Sequence, residues 1–245
     1  MAKWVRLAER VLLSLLVVFG GLAMFYGLYL LVFLGSIFSI HEVTVEGRMA
    51  HLTTQKVIEL SGVKPGQNLF GIDVSSIHRN LKGHPWVNRV AVRRRLPHTL
   101  WIYVEEFTAA AVIQKKDALS FIDQEGVVFK PVEPMDPKAF PIITGIDVYD
   151  ENKAASHIQD VLAIIASFRE TAFGQAQGIA ELHWDKARGF EIITEKGPTQ
   201  IVLGNDAIAS RLDLLDRWQS VMNRRGGHIK YILANDGKRI TVGYN

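Results

Sequence analysis

Cysteine is absent from the 245 residues, which excludes disulfides, thiol nucleophiles and cysteine metal sites. That absence suits either side of a bacterial membrane and does not locate the chain. A charge excess is nearly lacking too: 28 basic against 25 acidic side chains leave a formal net charge of +3, too little to argue nucleic-acid binding from balance. No H-E-x-x-H helix, no Walker loop and no G-x-S-x-G elbow occurs. The eight histidines are scattered; His78 and His84 come nearest to a cluster and are separated by a helix end. The adjacent acids Glu105-Glu106 and Asp123/Glu125 fall on strand ends or turns and are expected at the surface, not as a catalytic pair held across a cleft. No catalytic residue, cofactor, metal or small-molecule substrate is therefore expected.

A third absence is positive information. Between Arg10 and Glu42 there is no Asp, Glu, Lys or Arg. The apolar run from Val11 to Leu34 is roughly 24 residues, and a helix needs about 20 to cross a bilayer. Backbone groups in lipid must bond internally, so the run is predicted helical despite Gly20, Gly21 and Gly27. It is too long for the core of a cleaved signal peptide. Lys3, Arg6 and Arg10 precede it, so the positive-inside rule puts residues 1–10 in the cytoplasm, residues 11–36 in the membrane and the rest outside.

Past the apolar run, the chain has the composition of a globular protein and reads as the α+β class. Residues 40–46 alternate and read as a strand ended by Gly47. Thr53 or Thr54 caps a short helix, and Asp73 caps a second one over 74–81. Strands over 86–95 and 99–106 form a hairpin around Pro97-His98. On the second of them Leu100, Ile102 and Val104 share one face, and Trp101, Tyr103 and Glu105 the other. The order β-α-α-β-β makes a compact module over 38–107. Beyond it, residues 108–245 read as a mixed antiparallel β domain with two helices. Its strands are expected at 109–114, 119–122, 127–130, 179–184, 189–194, 199–203, 229–233 and 238–244. Its helices are expected at 152–171, broken by Gly174 and Gly178, and at 206–224, capped by Asn205 or Asp206 and ended by Gly226-Gly227.

Two surfaces attract attention. Arg89, Arg93, Arg94 and Arg95 make a basic strand, which reads best as a solvated face with Arg93 and Arg95 packed on Trp101 and Tyr103. The closing segment Lys238, Arg239, Ile240, Thr241, Val242, Gly243, Tyr244 alternates apolar and polar positions after a turn at Asn235-Asp236-Gly237. Lying last in the sequence, it is expected to be a sheet edge. Its free backbone groups could then template a strand from another protein, with Ile240, Val242 and Tyr244 as apolar contacts and Lys238 and Arg239 favouring an acidic partner.

Taken in order, an anchor, a β-α-α-β-β module, HPWVNRVAVRRRLPHTLWIYVEE (84–106), FIDQEGVVFKPV (121–132) and FPIITG (140–145) resemble the FtsQ/DivIB cell-division family across nearly the whole chain. The resemblance implies a POTRA (polypeptide-transport-associated) domain, a single-pass inner-membrane topology with a periplasmic body, and a non-catalytic scaffold at the division septum. It also implies that the last strand recruits the FtsB–FtsL coiled-coil pair, which controls septal peptidoglycan synthesis. Arg188 resembles a basic family position that salt-bridges FtsB. The chain departs from the family at Leu233-Ala234-Asn235, where many members carry an Asp-Leu-Arg-like triplet. Two other readings are a POTRA-containing transport or assembly factor, which predicts repeated modules and a barrel, and an anchored cell-wall enzyme, which predicts a nucleophile or metal constellation.

Overall fold

The computed structural model describes residues 2–33, 35–115, 118–146, 151–225, 228–234 and 239–244. Contacts divide the chain into two units, Met1–Glu106 and Phe107–Asn245.

The first unit opens with α1 (Ala2–Phe33). Its segment Leu12–Phe33 has a mean hydropathy of 2.3 and none of it is buried by protein, so it is long and apolar enough to cross a membrane. The helix stops at Phe33, and a single 3-10 turn, Ser36–Phe38, comes next. Then come β1 (Glu42–Arg48), α2 (Thr54–Ser61), α3 (Val74–Lys82), β2 (Val87–Arg95) and β3 (Thr99–Glu106). Thr53 caps α2 by accepting the Lys56 N–H, and Asp73 caps α3 by accepting that of Ser75, as short polar side chains do at this position. The sheet order is β1-β3-β2, with β3 parallel to β1 and antiparallel to β2. Leu100, Ile102 and Val104 are fully buried against Val57, Ile77 and Leu81 of the helices, so the period-2 pattern of β3 selects the face that the helices cover. Gly47 does not end β1. It lies inside it at φ +135, where a Cβ would run into the Val104 carbonyl.

Two expectations about side chains resolve differently. Arg93 and Arg95 do lie over the Trp101 ring, at 5.6 and 5.0 Å, whereas Arg94 turns away and donates to the Leu69 and Ile72 carbonyls at 2.7 Å each. Glu106 is not a surface acid. It is buried and accepts the N–H groups of Ala50, His51 and Leu52 and bonds the His51 ring. Burial pushes its pKa up, but these four partners outweigh burial and hold it below its ordinary value of 4.5.

The second unit is one nine-stranded sheet with helices on one face. Its elements are β4 (Ala109–Lys115), β5 (Ala118–Asp123), β6 (Val128–Pro131), β7 (Ile142–Thr144), α4 (Glu151–Glu170), α5 (Ala172–Gln177), β8 (Ile179–Asp185), β9 (Gly189–Thr194), β10 (Gln200–Gly204), α6 (Ile208–Arg225), β11 (Ile229–Leu233) and β12 (Thr241–Tyr244). The order is β12-β11-β10-β9-β8-β7-β4-β5-β6. Val161, Leu162, Ile165 and Phe168 of α4 and Leu212 and Leu215 of α6 bury the sheet's apolar face.

Sequence reading misses two elements. The three-residue β7 comes directly after the proline-rich stretch 131–141 and is too short to show periodicity, yet it bridges β4 and β8 with parallel pairing to both. The short α5 runs through Gly174, which pattern alone marks as a breaker. Thr171 caps it by accepting the Gly174 N–H, and glycine is needed because a Cβ would strike the Phe168 carbonyl. At α6 the expected cap is otherwise engaged, since Asp206 pairs with Arg211 and the helix opens at Ile208. The turn at 235–237 and the stop at Gly226-Gly227 lie outside the described residues.

Candidate partner-docking edge

Among the described residues four strands form sheet edges, and three of them carry the charges or proline that discourage a foreign strand. β1 carries Glu42, Glu46 and Arg48, and β2 carries Arg89, Arg93, Arg94 and Arg95. β6 ends on Pro131, and its Lys130 is buried on Asp136 at 2.5 Å. β12 pairs with β11 on one side and, among the described residues, with no strand on the other. Its four residues, Thr241, Val242, Gly243 and Tyr244, include no charge and no proline.

The pairing register fixes what this edge presents. One row runs Leu182, Ile192, Ile201, Ile232, Val242 across five strands. The first four are completely buried under the helices and Val242 is half-buried at the end of the row. A row on the opposite face runs His183, Glu191, Val202, Leu233, Thr241. Beside it, Tyr231 stands opposite Gly243, and its ring occupies the space a Cβ at Gly243 would need. Gly243 thus lets an exposed aromatic ring lie flat on the edge strand. Ile240 packs on the same core as Val242 but precedes the strand, as does exposed Arg239. The strand is shorter than its sequence suggests, and Lys238 lies outside the described residues. Ile240 and Val242 are also not free apolar contacts, because this chain's own core uses part of each.

Arg188 sits at the start of β9, three strands from the edge. Asp185 positions it by accepting the N–H groups of Ala187 and Arg188 at 2.8 Å each. These backbone donors also hold the Asp185 carboxyl below its ordinary pKa. The Arg188 guanidinium is 2.6 Å from Glu191 Oε1, so any partner carboxylate must share it. A cleft of about 520 Å³ connects Arg188 to Leu233 of β11 by way of Val202, Asn205, Asp206 and Arg211. Buried Arg211 stiffens its floor by donating to the Leu203 carbonyl and pairing with Asp206. The structure therefore joins Arg188 to Leu233, the first residue of the triplet at which the sequence departs from the family, by way of Arg211. Tyr231 and Arg211 are the side chains that the sequence leaves unmarked; the alternation of β11 hints at Tyr231, and nothing hints at Arg211.

No group of three or more metal-ligating side chains occurs among the described residues. The geometry offers backbone hydrogen bonds, a short apolar row and a basic flank.

Comparison with known proteins agrees in detail with this architecture. The family described as "POTRA domain, FtsQ-type" matches residues 38–107, and the one described as "Cell division protein FtsQ/DivIB, C-terminal" matches residues 111–232. A protein of Geotalea daltonii named "Cell division protein FtsQ" is 31% identical over 221 residues, 89% of this chain and 80% of its own length. Proteins of the same name from Geobacter sp. (strain M21) and Syntrophotalea carbinolica are 29% and 28% identical, over 68% and 86% of this chain and 62% and 76% of their own lengths.

Proposed function

This chain belongs to the FtsQ/DivIB family of cell-division proteins, anchored by a single membrane-spanning helix, and from that premise we propose that it recruits an anchored division partner of the FtsB–FtsL type by adding the partner's strand to β12. The observation that carries this reading is the contrast of edges: the described residues of β12 include neither charge nor proline, whereas β1, β2 and β6 carry one or both.

Four residues of strand edge turn about half their backbone groups outward, which is about four hydrogen bonds and about 4 kcal/mol net. A micromolar complex needs about 8 kcal/mol. Main-chain pairing alone is therefore insufficient, and side chains must supply the remainder. Register says where. On the helix-covered face a partner's apolar residue extends the row that ends at Val242; on the other face it meets Thr241, Gly243 and the exposed Tyr231 ring. Arg188, Lys238 and Arg239 favour acidic residues flanking that strand, chiefly by steering and register. Confinement to one membrane raises the effective concentration of both proteins, so modest affinity suffices.

Lys3, Arg6 and Arg10 before the anchor orient the body to the periplasmic side of the inner membrane. The reading requires no catalysis: the body acts by binding, and septal peptidoglycan synthesis is controlled through the recruited pair.

The test is capture of membrane partners by the full chain, with the partners identified. Val242→Glu and Thr241→Pro should each lower capture at least tenfold. Thr241 is exposed, so its substitution removes no core contact, and the unfolding midpoint of each variant shows whether it is folded. Undiminished capture by a folded Thr241→Pro chain rules out strand addition at this edge. A fluorescent fusion should label the mid-cell ring; uniform membrane labelling removes the division role.

A further inference from the structure

The segment joining the anchor to the first body is not a free tether. Its backbone is zipped to the loop at 66–70: Ile40 N–H donates to the Gln67 carbonyl, Gly66 N–H to that of Ile40, and Leu69 N–H to that of Phe38, at 2.7–2.9 Å. The last carbonyls of a helix have no partner within it. Here the Asn68 side-chain amide supplies one, donating to the Val32 carbonyl at 2.6 Å and to that of Phe33 at 3.1 Å. The amide is itself held, since its oxygen accepts the Phe70 N–H at 2.8 Å. An aromatic chain continues the junction: Tyr29 to Phe33 at 4.9 Å, Phe33 to Phe70 at 6.5 Å, and Phe70 to Phe38 at 5.0 Å.

The polarity of this body is lopsided. Beyond the anchor, its exposed large apolar side chains among the described residues are Ile37, Phe70 and Leu96, at 52, 37 and 60% exposure. All three lie where the anchor emerges. Ile37 is four residues past the end of the anchor helix, and the Phe70 ring lies beside that of Phe33, the last helical residue. Leu96 is in the β2–β3 turn, whose His98 carbonyl accepts the His41 and Glu42 N–H groups. Both ends of the sheet carry charge, Glu42 and Arg95 beside the turn and Arg48 and Arg89 on Glu105 at the far end, so what sets the near end apart is its exposed apolar side chains. Exposed apolar clusters mark an interaction surface, and this one is continuous with a helix whose own surroundings are lipid.

We propose that the anchor-proximal end of the first body, through Ile37, Phe70 and Leu96, rests in the lipid headgroup layer, with Asn68 locking the body to the anchor. The body is thereby held upright on the bilayer, the Arg48–Glu105 end of its sheet directed away from the membrane. This is independent of the partner docked at β12.

The absence of cysteine makes the test clean. The full chain carrying Phe70→Cys, Leu96→Cys or Arg48→Cys, each labelled with an environment-sensitive fluorophore, is reconstituted into phosphatidylethanolamine/phosphatidylglycerol vesicles. Quenching by a nitroxide lipid labelled near its headgroup should be at least threefold stronger at positions 70 and 96 than at 48. Equal quenching at all three positions overturns the proposal. Asn68→Ala should bring the position-96 signal at least twofold closer to that at 48. If position 96 keeps its full quenching in that variant, the Asn68 lock is disproved.

Discussion

At one end of the nine-stranded sheet stands β6, where Lys130 is buried on Asp136, Pro131 has no N–H to offer, and Phe129 stacks on Phe107 at 4.5 Å. At the other stands β12, with small or uncharged side chains and one ring laid over a glycine. Both are short edges of a single sheet, and both continue the same core. Set side by side, they show that an edge is closed by specific polar chemistry. Among the described residues of β12 that chemistry is missing: the strand has no charge and no proline.

The greatest loss of stability should come at the closed end. Lys130→Ala leaves Asp136, itself mostly buried, without its cation, and breaking such a pair costs about 3 kcal/mol. Chemical unfolding should register that loss while partner capture stays unchanged; a parallel fall in capture at full occupancy of the folded state would mean that the two ends do not act separately. At the open end, Gly243→Val forces the Tyr231 ring off the strand and should cost about 2 kcal/mol, read as a lowered unfolding midpoint and a shifted Tyr231 ring resonance.

Thr241→Lys makes the open edge resemble the charged edges of the first unit. Its site is exposed, so stability should move by less than about 0.5 kcal/mol, yet capture should fall about tenfold. A large loss of stability would mean that the edge is not open in solution.

Least pronounced is a pH dependence that separates the two units. Glu106 and Asp123 each end a strand and each is buried. For Asp123 burial raises the pKa, Glu125 adds to this, and the Val127 N–H does not compensate; for Glu106 burial is outweighed by its donors. Asp123 therefore contributes stability below its ordinary 3.8 and loses it as pH rises through its higher folded value. Glu106 contributes above its ordinary 4.5 and loses it as pH falls through its lower folded value. Acidification should favour the second unit in the window above 3.8 and weaken the first in the window below 4.5, so the two units respond with opposite sign. Amide exchange followed separately in β5 and β3 against pH reads both, and parallel trends in the two strands would refute the assignment.

Much of this is legible along the chain. The strand pattern of β3, the caps Thr53 and Asp73 and the stripe of α4 follow from local periodicity and hydrogen-bonding chemistry, which need only neighbours in sequence. Arg93 and Arg95 over Trp101 are equally readable, because a hairpin brings them opposite by register. Glu106 is only half legible: alternation places it on the buried face after Val104, but its donors come from Ala50, His51 and Leu52, over fifty residues away. β7 escapes for a related reason: three residues directly after Pro141 are too few to show periodicity, and only β4 and β8 on either side make them a strand.

The apolar span, the α+β class and the β-α-α-β-β order of the first unit follow from the amino-acid string, since each depends on composition or on spacing within one element. Folding in three dimensions was needed to establish that β12 has a described neighbour on one side alone, that Val242 terminates a buried row, that Tyr231 covers Gly243, and that Asn68 caps the anchor. Those facts are pairings between distant segments. Their register is set by how many faces must be buried at once, which no single stretch of chain contains.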